Sequence, residues 1–202
     1  LLGSGVGCGN DASKAAAPVS VSVPLPVPLT NMVRISAGTF QRIRFPVTLT
    51  RDFWIGKYEV SQGEFQTVMG LNPSHFTGLS NHPVEKVSFV AASNNCVKVT
   101  AQERGQGHLP EGFEYRLPTE AEWERAAVWD PAVSPSHWIY GFMSDTLDAT
   151  RANCNYSDPL GVDTTPVGYY NGVTPGTADS PSPIGAYDMT GNVSEWCQDW
   201  IG

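Results

Sequence analysis

RLPTEAEWERAA, residues 116–127, is the stretch whose reading decides the fold. Thr119 precedes a run of strong helix formers and is followed three residues later by Glu122. At that spacing a threonine hydroxyl and a glutamate carboxylate each cover a backbone N–H that the first turn leaves without a partner. Glu120 suits the first turn, where the helix dipole is positive. Ala121, Ala126 and Ala127 add propensity, while Trp123 and Ala127 lie one turn apart on the face expected to meet a core. The pattern predicts a helix capped by Thr119 and anchored by one tryptophan.

Toward the amino end, MVRISAGTF (32–40) and RFPVTLTRDFWIGKYEVSQGEF (44–65) partly alternate apolar and polar residues and are rich in β-branched and aromatic types, which predicts short strands. The period changes at Ser61. Ser61 and Glu64 form a second capping box, Val60 and Phe65 can staple across it, and Phe65, Val68 and Met69 share a face, so a helix is expected to about Gly70. LNPSHFTGLSNHPVEKVSF (71–89) reads as a loop because of Asn72, Pro73, Gly78 and Pro83. Ser88 then caps a second helix over FVAASNNCVKVTAQERG (89–105), which Asn94, Asn95 and its β-branched residues make weak on propensity alone. Tertiary packing must hold it. From Trp129 onward Gly, Pro, Asn, Asp and Ser are interleaved with aromatics, a long irregular stretch of the kind that is functional or pinned by ions or crosslinks.

The 202 residues suffice for one sizeable core, and 41% hydrophobic with 16% charged residues, 20 Gly and 16 Pro suits a compact domain with many loops. A formal charge of -8 repels nucleic acid and anionic membrane surfaces, so no nucleic-acid partner is expected. No apolar stretch is long enough to span a bilayer, and membrane attachment is expected only through a lipid anchor. Residues 1–30 read as a signal-peptide remnant followed by a Pro-rich tether, with Gly5, Val6 and Gly7 before Cys8 resembling a lipobox. Cys8 is the expected lipidation site, with a chance cysteine after small residues as the rival. Either way the protein is expected to be exported, to a bacterial periplasm or cell surface. Residues 31–202 form the expected domain, read as incomplete at its carboxyl end.

The order of MVRISAGTF, FWIGKYEVSQGEFQTVMGLNPSHFTG, NHPVEKVSFVAA, RLPTEAEWERAA, TTPVG and YDMTGNVSEWCQDW resembles the formylglycine-generating, or sulfatase-modifying factor, family over Met32 to Trp200. The resemblance implies an α+β fold, a variant of the C-type lectin fold with few short elements and long ordered loops. Phe89 and Ser194 stand where family members commonly have Trp. The family's catalytic cysteine pair and glycine-rich strand are expected beyond Gly202, so no catalytic residue is assigned here.

Asp188, Gly191, Val193 and Glu195 offer two carboxylates and two carbonyls within one tight turn, hard oxygen donors that suit calcium. A solvated turn with a capping Asp fits the same residues, and the resemblance implies a structural calcium site there. It likewise implies that Asn153 and the carbonyl of Cys154 begin a second site, completed by Asp158, Asp163 or neither. Cys96 reads as a buried thiol, and Cys154 and Cys197 as candidates for a disulfide with each other or with sequence beyond Gly202. His75, His82, His108 and His137 are scattered and read as surface or loop residues. Glu120, Glu122 and Glu124 read as capping and solvation.

Two functions follow from the resemblance. One is an exported enzyme of the family, oxidising a cysteine of a sulfatase to formylglycine with oxygen, with copper bound by the cysteine pair if that pair exists. The other is a non-catalytic lectin-fold module, a ligand-binding or structural surface lipoprotein such as a retroelement variable protein. A shared fold does not decide between them.

Overall fold

The computed structural model describes residues 31–42, 45–133, 137–154 and 163–199, with the backbone of 5–8. The tether at 11–30, Asp158 and the side chain of Cys8 lie outside the described residues. Six strands and three helices follow in the order β1 (Gly5–Cys8), β2 (Met32–Ile35), β3 (Gly38–Gln41), β4 (Pro46–Leu49), β5 (Phe53–Gly56), α1 (Gln62–Met69), α2 (Phe89–Gly105), β6 (Phe113–Arg116) and α3 (Glu120–Ala127). This is the small mixed α and β architecture that the sequence predicts.

The main sheet runs β2-β5-β1-β6, all neighbours antiparallel, and β3 and β4 form a separate hairpin. Gly5–Cys8, read above as part of a signal remnant, is thus a strand inside the sheet. It satisfies the free edges of two strands at once, with Val6 opposite Trp54 on β5 and Tyr115 on β6. β6 also went unpredicted, because the alternation of FEYR extends over only four residues.

β5 is buried along Phe53, Trp54 and Ile55 because both faces of the sheet are covered. Phe53 and Ile55 meet Ala126 and Ala127 of α3 together with Ala186 and Met189 from the late loops. Trp54 points the other way, against Leu109 and Phe113. A further cluster of Phe65, Val84, Ala92, Cys96 and Leu117 joins α1 to α2, which supplies the packing that the weak second helix needs.

The caps form as the sequence indicates. Ser61 and Glu64 close the box on α1, Gly70 ends it in the left-handed region, and Thr119 and Glu122 close the box on α3. Glu122 does more than cap. It also takes both guanidinium nitrogens of Arg116, at 2.7 and 2.6 Å, fixing the end of β6 to the start of α3.

Beyond Trp129 the described residues hold isolated bridges, Trp129 with His137, Tyr140 with Ser144 and Asn171 with Asp179, in place of longer strands. No described helix is long and apolar enough to cross a membrane. Thr119→Ala is expected to cost ~1 kcal/mol as a lost cap, and Phe65→Ala ~3–5 kcal/mol as a core cavity. Urea unfolding followed by tryptophan fluorescence checks both, and equal losses would contradict the assigned core.

Candidate functional site

The polypeptide leaves β5 through Lys57 and Tyr58 and enters the interior at Glu59, which is 2% exposed. Burial drives the Glu59 carboxyl well above its ordinary range, and the nearby Asp188 and Glu195 carboxyls push the same way. Its Oε2 accepts from Asn192 Nδ2 at 2.6 Å, whereas its buried Oε1 has no hydrogen-bond partner.

Asn192 holds the site together. Its Oδ1 accepts the Thr165 N–H at 2.9 Å, its Nδ2 also donates to the Thr165 carbonyl at 3.2 Å, and its own N–H donates to the Asn153 carbonyl at 2.7 Å. One residue thereby ties the exit of β5 and the TTPVG loop through its side chain, and the loop at Asn153 through its backbone N–H, to the turn at 188–195.

That turn is strained. Asp188 and Asn192 adopt φ of 60° and 59°, in the left-handed region where a non-glycine residue costs about 1–3 kcal/mol and persists only if the surroundings fix it. Gly191 shares the region at 86° and lies against the Asn153 carbonyl so closely that no Cβ would fit. Tyr187 N–H donates to the Lys57 carbonyl at 2.8 Å, which ties the turn to the main sheet.

Asp188 Oδ2 accepts the Gly168 N–H at 2.5 Å, and Glu195 Oε2 accepts from the indole N–H of Trp123 on α3. Both residues keep some surface while their carboxyl groups are enclosed by protein. Burial pushes Asp188 up to about 6 and Glu195 up to about 7, the latter raised further by Asp188. The predicted tryptophan helix and acidic turn therefore meet directly, and Gln198 N–H donates to the Pro118 carbonyl at 2.8 Å beside that contact.

Asp188, Glu195 and Glu59 thus enclose three carboxyl groups near one another, oxygen donors of the type a hard divalent cation takes. Among the described residues no three His, Cys, Asp or Glu side chains converge as a metal group. An ion at this turn would draw on the carbonyls of Gly191 and Val193 as well as on Asp188 and Glu195.

The second predicted site is brought only partly together. Asn153 Nδ2 donates to the backbone carbonyl of Asp163 at 3.1 Å, which closes the loop but engages no Asp163 carboxylate. Cys154 Sγ lies 3.7 Å from the Ala152 carbonyl. The anticipated Cys154–Cys197 crosslink does not form.

Burial pushes the thiols of Cys96 and Cys197 up to about 11. Burial thus disfavours the thiolate, the form that binds copper, at both. His82 departs from the surface reading: it is buried, its Nδ1 sharing a hydrogen bond with Thr164 Oγ1 at 2.9 Å, because the TTPVG loop folds over it. Phe89 packs edge-on against Trp196, with centroids 5.9 Å apart.

Sequence reasoning missed Glu59, Thr165 and Asn192, which lie far apart in the chain. The asparagine inside GNVSEW was the available signal, a left-handed former next to a glycine.

The sulfatase-modifying factor enzyme 1-like domain family matches over residues 19–202. The chain belongs to this family. It is 29% identical over 218 residues to the chaperone protein LppX of Paenibacillus barcinonensis, covering 84% of this chain and 71% of that protein. A formylglycine-generating enzyme of Thermomonospora curvata is 34% identical over 128 residues, covering 63% of this chain but 36% of that enzyme. The crystal structure of CarF superposes with a TM-score of 0.61 at 24% identity, covering 83% of this chain and 79% of CarF, and shows the shared fold.

Asn192→Gly keeps the left-handed backbone but leaves Glu59 unpartnered, and is expected to cost ~1–3 kcal/mol. Asn192→Ala should cost more, because it adds backbone strain. Asp188 and Glu195 have folded values above their ordinary 3.8 and 4.5, so the folded state binds more protons than the unfolded state from about pH 4 to about pH 7. In chelator, stability should fall as pH rises through that window. A melting temperature that rises instead would contradict the enclosed carboxyls.

Proposed function

We propose that the protein is an exported sulfatase-modifying factor domain whose acidic turn binds calcium as a structural brace, and whose loops present a surface to a protein or peptide partner. The supporting observation is the enclosure of the Asp188 and Glu195 carboxyls beside the buried Glu59. In this reading Asp188, Gly191, Val193 and Glu195 hold the ion. It neutralises the turn and fixes the strand of contacts running from Trp123 to Asn153. Asn153 and Cys154 are the start of a second, weaker calcium site.

Calcium titration with thermal melting tests the brace. Saturating calcium should raise the melting temperature, and at a hundredfold excess over Kd the gain is about 2.7 kcal/mol. Affinity should rise with pH through about 6 to 7 as protons leave the two carboxyls. Asp188→Asn should remove the shift, and an unchanged melt with calcium would eliminate the ion.

A second reading, favoured by the Thermomonospora relative, is cysteine oxidation to formylglycine in a sulfatase-type peptide. Copper held by a thiolate pair would supply oxygen activation in such an enzyme, and Cys96 and Cys197 do not supply that pair. Incubating the protein with copper and a sulfatase peptide, followed by mass spectrometry, separates the readings. Aldehyde formation supports the enzyme, and unchanged peptide with calcium bound supports the module.

Export through a lipid anchor at Cys8 would require cleavage before that residue. Gly5, Val6 and Gly7 would then leave the sheet. Mass spectrometry of the mature amino terminus from a bacterial host distinguishes acylated Cys8 from an intact β1.

A further inference from the structure

A cleft of about 800 Å³ lies between α1, α2 and the face of the main sheet. That is the volume of a small-molecule site. Its apolar lining includes Met32, Val60, Val68, Val99 and Tyr115. Its polar lining is one-sided. Its charged lining is Glu59, Glu64 and Glu103, with no Lys, Arg or His among the described residues, and neutral amides such as Asn95, Gln102 and Gln106 complete it.

Two of these groups are buried acceptors without partners. Asn95 is 5% exposed and its Oδ1 has no hydrogen bond; Glu59 is 2% exposed and its Oε1 has none. A buried acceptor left unmade costs about 1–3 kcal/mol, more for a charged group, so such atoms point to a donor that completes them. Glu64 is differently placed, because its Oε2 is taken by the capping box of α1. Glu103 sits at the far end of the cleft on α2, with His108 Nδ1 3.3 Å from its Oε2.

Acceptors at the base, carboxylates on two helices and an aliphatic wall between them select a ligand with N–H donors, positive charge and a hydrocarbon stem. A metal ion would leave the aliphatic wall unused, and an anion would meet three glutamates and no cationic side chain among the described lining residues. We propose that this cleft binds an organic cation, an alkylammonium or guanidinium group on an aliphatic chain, with Asn95 Oδ1 accepting from its N–H and Glu103 pairing with its charge. The cleft shares Glu59 with the acidic turn, whereas Asn95 and Glu103, which carry the proposed contacts, lie on α2 and stand whether or not that turn binds calcium. Two sources carry this chemistry, a free polyamine and a basic side chain of a peptide.

Isothermal titration of the whole protein with spermidine, and separately with acetyl-arginine amide, tests the proposal. Each is run with saturating calcium and again with chelator, so that failure at the turn is not mistaken for failure at the cleft. Saturable binding of either probe, with no binding of a neutral alcohol of matching length, supports the site. The tighter probe identifies the source.

Glu103→Gln and Asn95→Ala should each weaken binding by about tenfold, the loss of one charge-assisted hydrogen bond. Asn95→Ala can also disturb α2. Gln102→Lys lies on an exposed position lining the cleft, leaves the core untouched, and should abolish binding by placing an ammonium there. The proposal is overturned if neither probe binds, if the neutral alcohol binds as tightly, or if Gln102→Lys binds like the unaltered protein.

Discussion

The hydrogen bonds of Asn192 are the constraint on which the late half of the molecule depends. That half contains no regular element after α3 among the described residues, so its shape cannot come from ladders of backbone hydrogen bonds. It comes instead from single residues that reach several segments. Asn192 reaches Glu59, Thr165 and Asn153 at once, and it does so only because its backbone accepts a left-handed φ beside Gly191. An asparagine suits both demands, since it tolerates that conformation and offers donor and acceptor on one short side chain.

The carboxyls around it show the opposite economy. Asp188, Glu195 and Glu59 are each hydrogen-bonded at one oxygen, yet burial raises the proton affinity of all three, and neighbouring carboxyls raise that of Glu59 and Glu195 further. A protein can retain such a cluster by neutralising it with protons or with a cation. The first makes the fold depend on acidity, and the second makes it depend on ion supply. Because Trp123 of α3 donates into the same cluster, either dependence reaches the main core through Ala126 and Ala127.

The helices were legible because their determinants are local. Ser61 with Glu64 and Thr119 with Glu122 lie three residues apart, and Val60 with Phe65 marks the entry to α1. β1 and β6 were not legible, since GVGC and FEYR become strands only through each other and through Trp54. The same holds at the site. Asp188 and Glu195 could be read from one turn, whereas Glu59 enters through a contact 133 residues away in sequence, and His82 is buried by a loop 82 residues later. Patterns of spacing carry no information about which distant segment will close over a residue.

The placement of β1 has a consequence for synthesis. β1 is made before β5 and β6 yet lies between them, and Gly5 finds its partner at Arg116. The sheet therefore cannot finish while the ribosome is still building α2, and β5 and β6 must wait without a common neighbour. Non-local pairing of this kind slows collapse to the native state.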